Sequence, residues 1–153
     1  LRNRFFPYIE NPVDSSLIVN LIQKFMEEDR TKGTNPVTYI RKALEECQGS
    51  FAVSIIDCDT NELYIARVGS ILHYNDKGCY STMPGKKYKE LKEGEIRRLN
   101  KKTLRFNKVG EFYEYKKDGS LWIKGEYTDN RQSGVWVWYD KDGEVTSISH
   151  MDD

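Results

Sequence analysis

The sequence predicts an α+β protein in which two helices precede an antiparallel sheet and a pair of β-hairpin repeats. Three observations predict this fold class. Apolar residues recur at helical spacing before residue 48, and they alternate with polar residues from residue 50 onward. A unit that begins at Gly110 begins again at Gly134, which indicates an internal repeat.

The composition argues against several classes of function. The chain of 153 residues has 24 basic and 24 acidic side chains, and this balance opposes nucleic-acid binding. No apolar run approaches the roughly 20 residues that cross a bilayer, so no membrane partner is expected. The three cysteines form no Cys-x-x-Cys pair and the two histidines are far apart, which predicts no metal site. Sparse cysteines favour reduced thiols in a cytoplasmic protein, and no cofactor is expected.

Both predicted helices have recognisable ends. The first begins near Asp14, which is placed to cap it. The second has Asn35 as its N-cap, Pro36 in its first turn and Gly49 after its end. Cys47 falls on the apolar stripe of this second helix, so the pattern predicts that it is a core residue.

The middle of the chain is expected to form three antiparallel strand pairs, each closed by a turn-rich link. The predicted pairs are 50–57 with 63–68, 71–74 with 79–82, and 94–100 with 103–106.

The end of the chain contains two similar hairpin units. Gly110–Tyr127 aligns with Gly134–Met151, and each has an Asp-Gly turn between alternating runs. The shared pattern, G-x-[FW]-x-x-Y-x-x-D-G, resembles the MORN-type repeat, which implies a ribbon of hairpins over residues 107–153. Aromatic residues at alternate positions should stack across the strands on one face. Three of them could either bind a protein partner or a second copy, or serve cross-strand packing alone: Trp122, Trp136 and Trp138.

Four stretches of the sequence together carry a resemblance to a known enzyme family. They are Val13–Ile22 (VDSSLIVNLI), Ile40–Ile56 (with ALEECQGSFAVSII), Leu63–Leu72 (LYIARVGSIL) and Leu91–Leu99 (LKEGEIRRL). Their order and spacing resemble those of the second half of the class II glutamine amidotransferase domain. The resemblance implies an Ntn-hydrolase-like fold, with layers of helices on an antiparallel sheet, over residues 1–106. Residues 1–106 and 107–153 are therefore the two expected domains.

The resemblance also implies a chemistry. In this family an N-terminal cysteine attacks the side-chain amide carbon of glutamine, which gives a thioester and ammonia. Asp14 corresponds to the aspartate that holds the α-ammonium group of the substrate, although it could equally act only as a helix cap. Arg67, Gly69 and Ser70 correspond to a turn beneath the site. Residue 1 is leucine and no His-Asn-Gly motif precedes Asp14, so no catalytic residue is expected in this chain.

Two functions from different classes therefore remain open. The chain could be the C-terminal part of a glutamine-hydrolysing amidotransferase whose nucleophile lies on a preceding segment or a companion chain. It could instead be a non-catalytic scaffold that binds a protein partner, or another copy of itself, through the aromatic repeats.

Overall fold

The computed structural model describes residues 15–28 and 35–151, and it confirms the α+β class. The helices are α1 (Ser15–Glu28) and α2 (Pro36–Glu46). The strands are β1 (Phe51–Asp57), β2 (Glu62–Val68), β3 (His73–Tyr74), β4 (Tyr80–Ser81), β5 (Lys89–Glu90), β6 (Ile96–Asn100), β7 (Arg105–Lys108), β8 (Gly110–Tyr115), β9 (Leu121–Thr128), β10 (Arg131–Tyr139) and β11 (Val145–Met151). Within this part of the chain, no helix combines the length and the apolar character needed to cross a membrane.

The chain divides into two compact units, one ending at Gly49 and the other beginning at Ser50. The first contains both helices, and the second contains all the described strands. The boundary expected between residues 106 and 107 falls inside β7, within the second unit.

The two helices pack against each other in the first unit. The predicted start of α2 is confirmed, because the side chain of Asn35 accepts the Val37 N–H at 3.1 Å and Pro36 occupies the first turn. Cys47 was predicted to be a core residue, and this prediction is wrong. It lies at the C-cap of α2 and is only half-buried, because the helix ends before the apolar stripe reaches it.

The first sheet of the second unit has four antiparallel strands in the order β1-β2-β6-β7. The predicted hairpins β1–β2 and β6–β7 are both confirmed. The sequence did not predict the pairing that joins them, in which Ile65 of β2 lies opposite Arg97 of β6. A core cluster packs here and includes Ile65, Leu72, Tyr74, Leu91 and Phe106.

A small three-stranded sheet has the order β4-β3-β5. The predicted pair β3–β4 is confirmed, although each strand has only two residues. Strand β5 was missed, because Lys89 and Glu90 are both exposed and form no alternating apolar pattern.

The repeat sheet, β8 to β11, is an antiparallel meander in the order β11-β10-β9-β8. Both predicted Asp-Gly hairpins are confirmed, and Gly119 and Gly143 take the positive φ angles of +86° and +82° that such turns need. A third turn, between β9 and β10, was not predicted. Asp129 and Asn130 both have positive φ there, at 46° and 70°, which is typical of a type I′ turn.

That third turn also ties the repeat sheet to β7. The side-chain oxygen of Asn130 accepts the Lys108 N–H at 2.7 Å, and its amide nitrogen donates to Asn107 Oδ1 at 2.8 Å. The backbone N–H of Asn130 donates to the Lys108 carbonyl at 3.1 Å. The three bonds fix the turn against the neighbouring sheet.

Candidate functional site

The site residues expected from the sequence lie in different places. Asp14 falls outside residues 15–28 and 35–151, so its position is not described. Arg67, Gly69 and Ser70 follow one another at the end of β2. The three tryptophans lie in β9 and β10, on the repeat sheet.

The Arg67–Ser70 turn is closely packed against the start of β1. Gly69 has a φ of +68°, and a Cβ atom added there would collide with the Ser50 side chain, whose Cβ would lie 3.0 Å away. Gly69 also bridges to Phe51. Only glycine combines this φ angle with this approach, so the chain needs glycine here for the turn itself.

The guanidinium of Arg67 is held within the same turn. Its Nη1 donates to the Ser70 carbonyl at 3.2 Å and lies 3.1 Å from Glu90 Oε1. Its Nε lies 3.7 Å from Glu93 Oε2, which is an ion-pair distance but longer than a hydrogen bond. Glu93 also accepts the Gly69 N–H at 2.9 Å. With two carboxylates already around it, Arg67 acts as an internal brace for the turn.

The three cysteines are free thiols in separate positions. Cys58 and Cys79 are exposed. Burial, followed by the nearby charge of Glu46, raises the pKa of Cys47 above that of an ordinary thiol. A raised pKa lowers the thiolate fraction at neutral pH, which is the opposite of what a cysteine nucleophile needs. Among the described residues, no group of three His, Cys, Asp or Glu side chains is arranged to hold a metal ion.

The inner face of the repeat sheet holds a cluster of stacked aromatic rings. Trp136 is 1% exposed. Its ring lies 5.8 Å from Phe112, 5.1 Å from Tyr127 and 6.3 Å from Trp138, and its indole N–H donates to the Ser133 carbonyl at 3.2 Å. The predicted stacking on one face is therefore confirmed.

The three tryptophans do not share one face. Ile123 pairs with Trp138, and Trp122 precedes Ile123, so Trp122 points to the opposite side of the sheet. Trp136 is buried in the inner cluster and is not available to a partner, whereas Trp122 is 43% exposed. We call the side with Trp122 the outer face.

A row of paired residues crosses the outer face. Tyr113 lies opposite Lys124, Lys124 opposite Val137, and Val137 opposite Ile148. Lys124 Nζ lies 5.7 Å from the centre of the Tyr113 ring, which is within cation–π range. Trp122 is two positions from Lys124 on the same strand, so it flanks this row.

Sequence reasoning missed a buried ion cluster between the first sheet and the repeat sheet. The Glu95 side chain is 4% exposed and lies 2.9 Å from Arg97 Nη2 and 3.3 Å from Lys108 Nζ. Lys108 Nζ also lies 5.1 Å from the centre of the Phe112 ring and 4.9 Å from that of Tyr127. The guanidinium of Arg97 stacks 4.5 Å over Tyr74 and donates to the Phe106 carbonyl at 2.8 Å. This cluster has a structural role, because the charged groups of Glu95, Arg97 and Lys108 contact one another inside the fold.

A second network involves Tyr64. Its hydroxyl donates to Glu62 Oε2 at 2.7 Å, Glu62 lies 3.1 Å from Arg98 Nη1, and Arg98 Nη2 lies 2.8 Å from Asp129 Oδ1. Burial, followed by the bond to Glu62 and its negative charge, raises the pKa of Tyr64 above its ordinary value.

This raised pKa predicts a loss of stability in base. The unfolded chain releases the phenol proton above about pH 10 while the folded protein keeps it. The contribution is therefore complete below that pH and is lost as the pH rises above it, at about 1.4 kcal/mol per pH unit for one proton. We expect urea unfolding curves to show this loss, and the Tyr64→Phe variant to show a smaller one; Tyr74, whose pKa is also raised by burial, keeps its own contribution in the variant. An unchanged slope in the variant would assign the alkaline loss to other groups.

Comparison with known proteins adds no relative to these observations. Scans against protein-family models, curated proteins and solved structures give no match to this chain.

Proposed function

We propose that this chain is a non-catalytic interaction module that binds a protein partner through the outer face of its repeat sheet. The observation that carries the proposal is the exposed indole of Trp122, which lies beside the outer-face row from Tyr113 to Ile148. Tryptophan and tyrosine surrounded by polar groups are the residues that contribute most to protein–protein binding. The MORN-like pattern of the repeats supports the same reading.

None of the three cysteines of this sequence is suited to act as an Ntn-type nucleophile. An Ntn-type nucleophile depends on the α-amino group of its own residue, and Cys47, Cys58 and Cys79 are interior positions of the sequence. Arg67, which lies in the turn that resembles a family motif, already forms ion pairs with Glu90 and Glu93.

The test is a comparison of two exposed aromatic positions on the same sheet. We expect the wild-type protein to recover a partner from cells of its source, and we expect Trp122→Ala to lose that partner. Tyr115→Ala, a change at a more exposed aromatic residue in β8, should retain it. Calorimetry with the purified partner should then show affinity reduced by about tenfold or more for Trp122→Ala, since central tryptophans commonly contribute over 1 kcal/mol. Equal binding by both variants would contradict the proposal.

A second candidate function is glutamine hydrolysis by a complete amidotransferase domain that includes this chain. One observation favours it: two of the stretches that resemble the family lie side by side. Ala52 of the first pairs with Arg67 of the second, and the turn at Gly69 contacts Ser50.

Two measurements on the protein purified from its source distinguish the two functions. Its N-terminal residue is sequenced, and ammonia release from glutamine is measured. An N-terminal cysteine together with ammonia release supports the amidotransferase, and glutamine is then a ligand. Failure to release ammonia would exclude this candidate without affecting the binding role.

A further inference from the structure

We infer that β11 is a docking edge for β11 of a second copy of this chain, the two strands pairing antiparallel about Ile148. This inference concerns the edge of the repeat sheet, and it does not depend on the partner proposed for the outer face.

The first argument is the unpaired backbone of β11. In the part of the chain that the structure describes, β11 pairs only with β10, along Gly134–Tyr139, and it forms one border of the repeat sheet. The N–H and C=O groups on its other side therefore need water or another strand.

The second argument is the composition of this strand. Edge strands are usually protected from other strands by short length, by lysine or other charges, or by proline. Strand β11 is seven residues long, and its sequence, VTSISHM, contains no Lys, Arg, Asp, Glu or Pro. Ile148, its middle residue, is 57% exposed. The strand thus lacks the protection that a solvent-facing edge normally has.

The third argument is the contrast with β8, the other border of the same sheet. Strand β8 contains Glu111 and Glu114. If β8 paired with β8 of a second copy, the carboxylates of both chains would lie close together at the new strand pair. Like charges close together across strands are destabilising. Self-association is therefore disfavoured at β8, whereas the residues of strand β11 itself include no carboxylate that would repel a second copy.

The fourth argument is the fit of a symmetric pair. In an antiparallel pair centred on Ile148, a twofold axis places Ile148 against the same residue of the second copy, on the outer face. Ser147 of each copy lies opposite Ser149 of the other, on the inner face, where two small hydroxyl side chains can hydrogen-bond. The outer-face row would then continue across the axis and form one surface from two chains.

Light scattering on the intact chain tests the inference. We expect a molar mass that rises with concentration toward twice the 17.9 kDa of one chain. Ile148→Lys and Ile148→Asp should each raise the dimer dissociation constant by roughly tenfold or more, because like charges face each other and an apolar contact is lost. An equimolar mixture of the two variants should recover the dimer, because opposite charges then face each other.

The controls separate this edge from other surfaces. Tyr115→Lys introduces the same charge at an exposed position of β8 and should leave the dimer intact. Trp122→Ala should also leave it intact, so failure of the partner proposal and failure of this one are distinguishable. A monomer at every concentration, a dimer that survives both Ile148 variants, or no recovery in their mixture would overturn the inference.

Discussion

Replacing Glu95 by glutamine should lower the free energy of unfolding by about 3–5 kcal/mol, because the change removes one partner of a buried ion cluster. Glutamine keeps the size of the side chain but not its charge. Arg97 and Lys108 would then retain their positive charges in a poorly solvated place without the carboxylate that both contact. Urea unfolding followed by tryptophan fluorescence measures the change.

The matched control is Glu90→Gln, which makes the same chemical change in an ion pair with Arg67 whose carboxylate is exposed. The Glu90 side chain is 54% exposed. The Glu90 carboxylate is solvated and Arg67 keeps Glu93 as a second partner, so this variant should unfold within about 1 kcal/mol of the wild type. Equal losses in the two variants would mean that burial does not make the Glu95 cluster energetically distinct.

Adding a single methyl group at Gly125 should destabilise the repeat sheet by about 1–3 kcal/mol, because the space is already filled. A Cβ atom there would collide with the Trp136 ring, whose Cε3 would lie 2.6 Å away. The φ angle of Gly125 is not in the left-handed region, so alanine meets no backbone strain at this position. The cost of Gly125→Ala therefore arises from the ring alone.

A double-mutant cycle isolates this contact. Trp136→Ala alone should cost about 3–5 kcal/mol, since it removes a fully buried aromatic side chain. In that background, Gly125→Ala should cost almost nothing, because the ring that it meets is gone. Thermal unfolding and near-ultraviolet circular dichroism report the stability and the packing of the tryptophans. Additive losses in the double variant would show that the two residues do not act through one contact.

The parts of the fold that were predicted from sequence depend on local signals. Asn35 and Pro36 mark the start of α2, and the two Asp-Gly turns mark their hairpins, because each of these residues acts on its own backbone. The pairing of β2 with β6 and the two-residue strand β5 depend on contacts between distant segments, which periodicity does not reveal. Asp129 and Asn130 form a turn without glycine, so the usual hairpin signal was missing.

The candidate site was less predictable than the fold, for related reasons. Trp122 and Trp136 appear similar in the sequence, but the strand register places them on opposite faces. The pairing of β9 with β10 is also irregular between Ser133 and Val137, where the register shifts. Glu95 lies in a charged stretch that is typical of a surface turn. In the structure Glu95 is buried and contacts Arg97 and Lys108, which come from two strands of the first sheet.

The bonds between Asn130 and β7 imply uneven cooperativity along the repeat sheet. Strands β9 and β10 are fixed at that turn by Asn107 and Lys108, whereas β11 is held in the described structure only by its pairing with β10. Native proteins open locally where few contacts hold an element, at a lower free energy than global unfolding. In a single copy, the amide hydrogens of β11 should therefore exchange with solvent through local opening of that strand. The amide hydrogens of β9 should exchange only when the second unit unfolds as a whole.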